Sequence, residues 1–291
     1  MKQNILITGS NSGFGLLTTK LLLQQGHNVI ASMRDPEGRN SQVASEIKSL
    51  GGLIVNIDVT DENSVIAGVA SAIEQAGHID VLVNNAGIGV HGIQESFSTD
   101  DLKAVFEINV FGLNRMIRAV LPHFHQRHSG LVLNVSSLLG RMTIPFYGPY
   151  NATKWAVEAL SENYRTELSS FGIDVAIIEP GGFPTEFIGR LIKPSDTERL
   201  NNYGDMANAP KAALEGFEQA LAANPAQNPQ IVADAVAKVI ATAPGSRPFR
   251  TVVDKMGMGE PIEAYNQQLA ALTKDIYQVF GTAEMLELKV Q

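Results

Sequence analysis

Three side chains that could transfer a proton lie in the segment SSLLGRMTIPFYGPYNATK, residues 136–154. Tyr150 precedes Lys154 by four positions, so on a helix both side chains face the same way. A free tyrosine has a pKa of about 10 and needs a nearby positive charge to exchange a proton at neutral pH. Ser137, thirteen positions before Tyr150, could orient the same oxygen atom. The three residues predict proton transfer at a ketone or alcohol oxygen while hydride moves at carbon.

A glycine-rich turn supplies a place for a phosphate group. The sequence TGSNSGFG, residues 8–15, follows an apolar run and precedes a helical pattern. Glycine permits positive φ and lets a phosphate approach the backbone, and a helix N-terminus offers N–H groups to an anion. The turn lacks the GK[ST] ending of a nucleoside-triphosphate loop. It therefore favours a dinucleotide.

The end of the second predicted strand indicates which dinucleotide. A site for NAD usually has an acidic residue there to hold the ribose 2′-hydroxyl. Met33 occupies that position, Arg34 follows, and Asp35 comes one place too late to face the ribose. A guanidinium suits a 2′-phosphate. The pattern predicts NADP(H) as the cofactor, with NAD(H) less favoured.

Several motifs in order give the chain a resemblance to a known family. The turn at 8–15, NNAG at 84–87, the Ser137, Tyr150 and Lys154 set, and PGGFPT at 180–185 resemble the short-chain dehydrogenase/reductase family over roughly residues 3–190. The first two turns are similar to those of the branch that contains 17β-hydroxysteroid dehydrogenases. Asn11 stands where that branch often has serine.

The resemblance implies a role for each matching residue. Ser137, Tyr150 and Lys154 would be catalytic, and Asn109 would hold a proton-relay water beside the lysine. Asp58 would meet the adenine, and Thr185 would lie near the nicotinamide carboxamide. The full set expected at the cofactor is Gly9, Asn11, Ser12, Gly13, Phe14, Gly15, Arg34, Asp58, Val59, Asn85, Ala86, Gly87, Tyr150, Lys154, Pro180, Gly181, Phe183 and Thr185.

Two other functions use the same residues. Tyr147 lies seven positions before Lys154, the spacing of the divergent enoyl reductases of this superfamily, which reduce C=C bonds. Gly148 and Pro149 separate Tyr147 from the predicted helix, so we expect it to line the substrate pocket, with Phe187. The second alternative is a cofactor-binding sensor without turnover. His123, His125 and His128 do not have a metal-site spacing, so we predict no metal.

The elements that must position these residues are apolar strands alternating with helices. Near-continuous apolar runs, such as 28–33 and 173–182, are typical of a parallel sheet covered on both faces. We predict an α/β doubly wound sheet, a Rossmann fold, in a single domain over 1–291. A long helix is expected from about Thr99 to His128, and another from Tyr150 to Gly172. Residues 183–230 should form a substrate lid, and 255–291 a C-terminal extension.

Composition sets the remaining expectations. A net charge of −8 argues against general affinity for nucleic acid or anionic membranes. The chain has no cysteine, no signal-like segment and no apolar run of membrane-spanning length, which together favour a cytoplasmic protein. The partner should be a small alcohol or ketone, and the apolar lid hints at a hydrophobic one. By resemblance, helices near 103–128 and 150–171 would form the face of a homodimer or homotetramer.

Overall fold

A parallel sheet of seven strands forms the centre of the protein. The computed structural model describes residues 2–290, so Met1 and Gln291, the outer bounds of the predicted domain, lie outside the described residues. The strand order is β3-β2-β1-β4-β5-β6-β7, and every neighbouring pair is parallel. The strands are β1 Asn4–Ile7, β2 Asn28–Met33, β3 Leu53–Asn56, β4 Val81–Asn84, β5 Gly130–Val135, β6 Ile173–Pro180 and β7 Arg250–Val253. The predicted doubly wound fold is confirmed.

Helices connect the strands and cover both faces of the sheet. They are α1 Gly13–Gln24, α2 Ser41–Ser49, α3 Glu62–Ala76, α4 Thr99–Phe106, α5 Leu113–Arg127, α6 Gly148–Leu168, α7 Ala209–Ala222, α8 Gln230–Ala241 and α9 Gly259–Val279. The helix predicted over 99–128 is interrupted, because residues 107–112 form a π-helical turn between α4 and α5. Such turns often mark functional positions, and this one contains Asn109.

Two apolar layers hold the helices against the sheet. Leu6, Leu82 and Val132 point to one face, where they pack with residues of α3, α5 and α6. Ile7, Val83 and Leu133, one residue further along each strand, point to the other face and pack with α1 and α8. Successive side chains of a strand point to opposite faces, so burial of both faces requires the uninterrupted apolar runs seen in the sequence.

The strand order reverses between β1 and β4, and this reversal determines where a ligand can bind. Chain connections leave β1 and β4 toward opposite faces of the sheet, which opens a crevice beyond their carboxyl ends. The glycine-rich turn follows β1, NNAG ends β4, and Ser137 follows β5. All three predicted motifs therefore lie along one edge of the sheet.

Residues 183–230 cross over this edge and contact the loop that follows β4. The amide of His91 donates to the carbonyl of Ile192, and the amide of Ile192 donates to the carbonyl of Gly89, both at 3.0 Å. The Ser195 hydroxyl donates to the Asp101 carboxylate at 2.7 Å. Beyond the lid, α9 begins after Asp254, whose carboxylate accepts hydrogen bonds from the Met256, Met258 and Gly259 amides. No helix within residues 2–290 is long and apolar enough to cross a bilayer.

Candidate active site

The turn after β1 is shaped so that only glycine fits at two of its positions. Gly9 has φ +67°, and a Cβ there would lie 2.9 Å from the Ala86 Cα. A Cβ on Gly15 would lie 2.3 Å from the Gly9 carbonyl oxygen. Because neither position has room for a side chain, the backbone N–H groups at the start of α1 remain open to an approaching group. The Ser12 side chain does not cap α1.

Thr8 ties this turn to the NNAG segment. Its hydroxyl accepts hydrogen bonds from the Asn85 and Ala86 amides, both at 3.0 Å. The Asn85 side chain donates to the Thr8 and Gly9 carbonyls. The predicted residues Gly9, Asn85 and Ala86 therefore form one rigid wall of the crevice. An uncapped helix N-terminus beside a glycine-rich turn fits the pyrophosphate of a nicotinamide dinucleotide.

The end of β2 presents a guanidinium rather than a carboxylate. Met33 is buried, while the Arg34 side chain is half exposed and lies 3.8 Å from the Asp58 carboxylate. Asp35 has φ +48°, and its carboxylate accepts from the amides of Gly38 and Arg39 in its own loop. The Asp35 carboxylate is thus engaged within its own loop.

Asp58 lies at the expected adenine end of the crevice. Its carboxylate accepts from the amide and hydroxyl of Thr60 at 3.0 and 2.8 Å. Partial burial works to raise its pKa, but the Thr60 hydrogen bonds and the charges of Arg34 and Arg39 outweigh burial, so the pKa is lowered. Val59, its neighbour, accepts a hydrogen bond at its carbonyl from Arg115.

Two arginines near the cofactor edge were missed by the sequence analysis. Arg39 is close enough to Asp58 to affect its pKa, so it joins Arg34 at the end of β2. Arg190, in the segment 183–230, donates a hydrogen bond to the Ser12 hydroxyl of the glycine-rich turn at 3.1 Å. Arg39 follows a turn and could have been considered from its nearness to Arg34. Arg190 lies 178 positions from Ser12, and no local pattern signals that contact.

The predicted catalytic residues Ser137, Tyr150 and Lys154 come together from two places, the end of β5 and α6. Tyr150 and Lys154 lie one turn apart in α6, and the Lys154 Nζ is 5.5 Å from the centre of the Tyr150 ring. The Lys154 ammonium donates to the Val135 carbonyl at the end of β5, at 2.8 Å. The Ser137 hydroxyl accepts from the Leu139 amide at 3.1 Å and donates to the Pro180 carbonyl at 3.4 Å. Each of these side chains is buried.

Burial dominates the proton affinities of this group. It raises the pKa of Tyr150 well above its usual value, a shift that the nearby Ser137 hydroxyl opposes and Tyr147 increases. Burial also lowers the pKa of Lys154 to about 8, although the Glu158 carboxylate works to raise it. We expected the lysine to lower the tyrosine pKa, but here the net shift is upward. The phenol is therefore held in the protonated form, which can donate a proton to a carbonyl oxygen.

Asn109 links the loop after β4 to α6. Its side-chain oxygen accepts from the Ile88 amide, and its amide group donates to the Ile88 carbonyl, both at 2.9 Å. The same amide group donates to the Thr153 hydroxyl at 3.1 Å. Gly87 lies against this side chain. The asparagine side chain thus holds backbone and helix together, directly beside the Tyr150–Lys154 turn.

The segment after β6 closes the opposite wall. Gly181 donates to the Val253 carbonyl, and a Cβ there would lie 2.3 Å from the Asp254 carboxylate. Phe183 packs edge-on against Phe14, with ring centres 5.5 Å apart. Thr185 passes over Gly13. Asn11, further along the turn, donates to the Asn40 side chain at 3.3 Å.

Gln227 holds this wall in place and was not predicted. Its side-chain amide donates to the Gly182 carbonyl at 2.7 Å and to Asp254 at 3.2 Å, and its oxygen accepts from the Lys255 amide. Gln227 is buried at the place where residues 183–230 meet the ends of β6 and β7. A lone glutamine in a polar, proline-rich stretch gives no signal of such a role in sequence.

Aromatic side chains cover Tyr150. Phe187 lies 5.7 Å from the Tyr150 ring, and Tyr147 packs with both in one apolar cluster. His91 packs edge-on against Tyr147 at 4.6 Å, is buried, and has no partner for Nε2 within residues 2–290. Burial, and then the charge of Glu218 in α7, raise the pKa of Tyr147.

Two features of this cluster differ from the sequence-based picture. Gly148 and Pro149 form the first turn of α6 rather than separating Tyr147 from it, so Tyr147 is the residue that precedes the helix. An open groove of about 730 Å³ lies beside the cluster and is bordered by Gln94, Phe146 and Trp155. None of the four predicted catalytic residues lines this groove.

The chain is similar in sequence to known proteins over most of its length. Residues 3–195 match the family described as short chain dehydrogenase. The chain is 34% identical over 251 residues to a 3-ketodihydrosphingosine reductase of Bacteroides thetaiotaomicron, covering 86% of this chain and 87% of that protein. It is 36% identical over 237 residues to a mouse 17-beta-hydroxysteroid dehydrogenase type 1, covering 79% of this chain and 68% of the relative.

Solved structures are similar along most of the chain. A short-chain dehydrogenase/reductase from Burkholderia phymatum in complex with NAD superposes with a TM-score of 0.73, at 25% identity, over 86% of this chain and 88% of that one. A serine dehydrogenase complexed with NADP+ superposes with a TM-score of 0.70, at 29% identity, over 86% and 94%. Together these neighbours support a nicotinamide cofactor without distinguishing its two forms.

Proposed function

Because the chain belongs to the short-chain dehydrogenase family and is an oxidoreductase that acts between CH–OH and C=O groups, we propose that it is an NADP(H)-dependent enzyme for a secondary alcohol or ketone. The observation that carries the proposal is the buried group of Ser137, Tyr150 and Lys154 at the sheet edge beside the glycine-rich turn. The NADP(H) preference, the substrate and the roles of individual residues are parts of this proposal.

The side chains divide the chemistry between them. The nicotinamide, when bound, supplies or accepts the hydride. Tyr150 donates a proton to the carbonyl oxygen in reduction and removes it from the hydroxyl in oxidation. Ser137 lies beside the phenol and orients the same oxygen. Lys154 binds the nicotinamide ribose and stabilises the phenolate left after proton donation, while Asn109 anchors the route by which a proton returns.

The charges at the end of β2 support NADP(H). The Arg34 guanidinium lies 3.8 Å from the Asp58 carboxylate, and the charge of Arg39 acts on the same carboxylate, whereas an NAD-specific site would hold a carboxylate for the ribose at the end of β2. Met33 is buried at the position of that carboxylate, so it offers the ribose no acceptor. A 2′-phosphate would meet at least one guanidinium, which can bind it through two hydrogen bonds.

The aromatic side chains that cover Tyr150 support a hydrophobic substrate. Phe187 and Tyr147 close over Tyr150. Two relatives have names that refer to a ketosphingosine and a steroid, both with large apolar parts. An apolar ketone or alcohol would gain from burial against these rings, at roughly 25 cal/mol per Å² of covered apolar surface.

Turnover and cofactor binding, measured together, test the proposal. Purified protein is given NADPH and a panel of apolar ketones, some of which carry a conjugated C=C bond, and Tyr150→Phe is compared with Tyr147→Phe. We expect Tyr150→Phe to abolish turnover with nearly intact NADPH binding, and Tyr147→Phe to remain active. Loss of C=C reduction in Tyr147→Phe alone would support the enoyl reductase alternative. NADPH binding with no turnover on any substrate would support a sensor.

We also propose that the protein forms a homodimer or homotetramer in its cellular compartment, the cytoplasm. Phe111 and Trp155, on the outer side of the π turn and α6, are 48% and 41% exposed. Large aromatic side chains at such exposure are typical of helices that pack against another subunit. Light scattering should give a multiple of the 31.3 kDa chain mass, and a 31.3 kDa species at all concentrations would exclude the assembly.

A further inference from the structure

Behind the catalytic residues lies a cluster of buried charges that the proposed reaction does not use. The Glu158 carboxylate accepts from Arg141 at 2.6 Å and from Arg250 at 2.9 Å. Glu179 lies 3.2 Å from Arg141 and accepts from the Asn266 amide at 2.5 Å. The side chains of Arg141, Glu158, Glu179 and Arg250 are each at most 8% exposed.

The cluster is continuous with the active site. Glu158 follows Lys154 by one turn of α6, and Glu179 directly precedes Pro180, whose carbonyl accepts from Ser137. Gly140 lies at the junction, since a Cβ there would be 2.8 Å from the Ser136 Oγ, 2.9 Å from the Glu158 Cγ and 3.1 Å from the Lys154 carbonyl. A substitution at Glu158 would therefore change the surroundings of Lys154.

The Lys154 ammonium and the guanidinium groups of Arg141 and Arg250 lie near three carboxyl groups, those of Glu158, Glu179 and Glu162, the last at the half-exposed end through its contact with Arg250. Burial, and then the charge of Glu158, raise the pKa of Glu179 to about 8, so Glu179 is mostly protonated at neutral pH and does not balance a buried cation. The other titratable groups packed around them are the Arg165 guanidinium, which stacks on Phe249 opposite Arg250, and the neutral Tyr150 phenol. Without Glu158, the ammonium would share a low-dielectric interior with two guanidinium groups.

One oxygen of the Glu158 carboxylate takes no part in the contacts with the two arginines. The Oε2 atom accepts from both arginines, whereas Oε1 is buried and has no hydrogen-bond partner among residues 2–290. The nearby Ser136 hydroxyl is also buried and without a partner in the same part of the chain. An unscreened carboxylate oxygen in the interior exerts its charge on neighbouring groups more strongly than one in water.

We propose that Glu158 is a positioning residue that keeps the buried Lys154 side chain positively charged, with Arg141 and Arg250 holding its carboxylate in place. The inference rests on the role proposed for Lys154. Buried ion pairs contribute little net stability compared with apolar packing, so stability alone gives no reason for this cluster. Burial lowers the pKa of Lys154 to about 8, close to neutrality, and Glu158 acts against that shift. Loss of the carboxylate would leave the lysine partly neutral at working pH.

Titration of Lys154 itself tests the inference without any substrate. The protein is labelled with ¹³C at lysine Cε, and the Lys154 signal is identified by its absence in Lys154→Arg. We expect Glu158→Gln to lower the Lys154 pKa by about one unit or more, as expected for removal of an opposite charge one helical turn away. Glu158→Asp retains the charge and should give a value close to that of the unchanged protein.

A second variant serves as a control in case Glu158→Gln does not fold. Glu162→Gln removes a carboxylate from the same cluster at its half-exposed end, and it should lower the Lys154 pKa by a smaller amount. An unchanged Lys154 pKa in Glu158→Gln would overturn the inference. An equal fall in Glu158→Asp would do the same. If Glu158→Gln does not fold, an unchanged value in Glu162→Gln decides against it.

The pH dependence of kcat/KM separates this role from a merely structural one. If Glu158 acts through Lys154, the alkaline fall in ketone reduction should begin at lower pH in Glu158→Gln, and Glu158→Asp should restore its position. A structural role would lower kcat/KM equally at every pH. Absence of turnover in the unchanged protein would refute the proposed function, while the Lys154 titration would still decide the role of Glu158.

Discussion

Replacing Arg34 should change cofactor preference by an amount that the structure allows us to estimate. Its side chain is 51% exposed, so a contact with a 2′-phosphate is partly screened by water. Two unit charges about 4 Å apart interact by ~1 kcal/mol in water and ~4 kcal/mol near a protein surface. For a half-exposed group that also pairs with Asp58, we expect about 1.5 kcal/mol, which corresponds to roughly tenfold in Kd.

Binding of both cofactors to two variants measures this effect. Arg34→Ala should weaken NADPH binding about tenfold and leave NADH nearly unchanged, because NADH has no 2′-phosphate. Arg34→Asp should move the preference further, toward NADH, by placing a carboxylate near the ribose. Arg118→Ala, which removes an exposed arginine paired with Glu62, is the control. The advantage for NADPH should also shrink at high salt. An unchanged NADPH-to-NADH ratio in both Arg34 variants would refute the assignment of this residue.

Two further predictions concern Arg190 and Tyr147. Arg190→Ala should weaken binding of NADPH and NADH by the same factor, roughly threefold to fivefold, since Arg190 contacts the Ser12 turn and we propose that this turn binds the pyrophosphate that both cofactors share. Binding titrations against Lys193→Ala, a neighbouring lid cation, check this, and an effect confined to NADPH would contradict it. Tyr147→Ala should alter the ratio of kcat/KM between large and small ketones more than it lowers the best value, because the ring covers Tyr150 without replacing it. A loss as complete as that expected for Tyr150→Phe would show that Tyr147 has a larger part in the chemistry.

Local chemistry in the sequence determined the fold and most of the site. Uninterrupted apolar strands require a sheet buried on both faces, and helices between them require parallel pairing. Gly9 and Gly15 lie where a Cβ would collide, which explains why the turn could be recognised from residue types alone. The one-turn spacing of Tyr150 and Lys154 depends only on helix geometry. The same local rules could not foresee the π turn at Asn109, because apolar periodicity alone does not reveal one inserted residue.

Only the tertiary structure decided which distant groups share an environment. Proton affinity depends on burial and on charges brought close by folding, so the upward shift of the Tyr150 pKa could not be obtained from its neighbours in sequence. Arg190 reaches Ser12, and Gln227 joins β6 to the segment after β7, across separations at which sequence patterns carry no information. Glu158 could be read as one more polar residue on a helix. Its position among Arg141, Glu179 and Arg250 is set by the packing of α6 against three other segments, and that packing gives its charge an effect on Lys154.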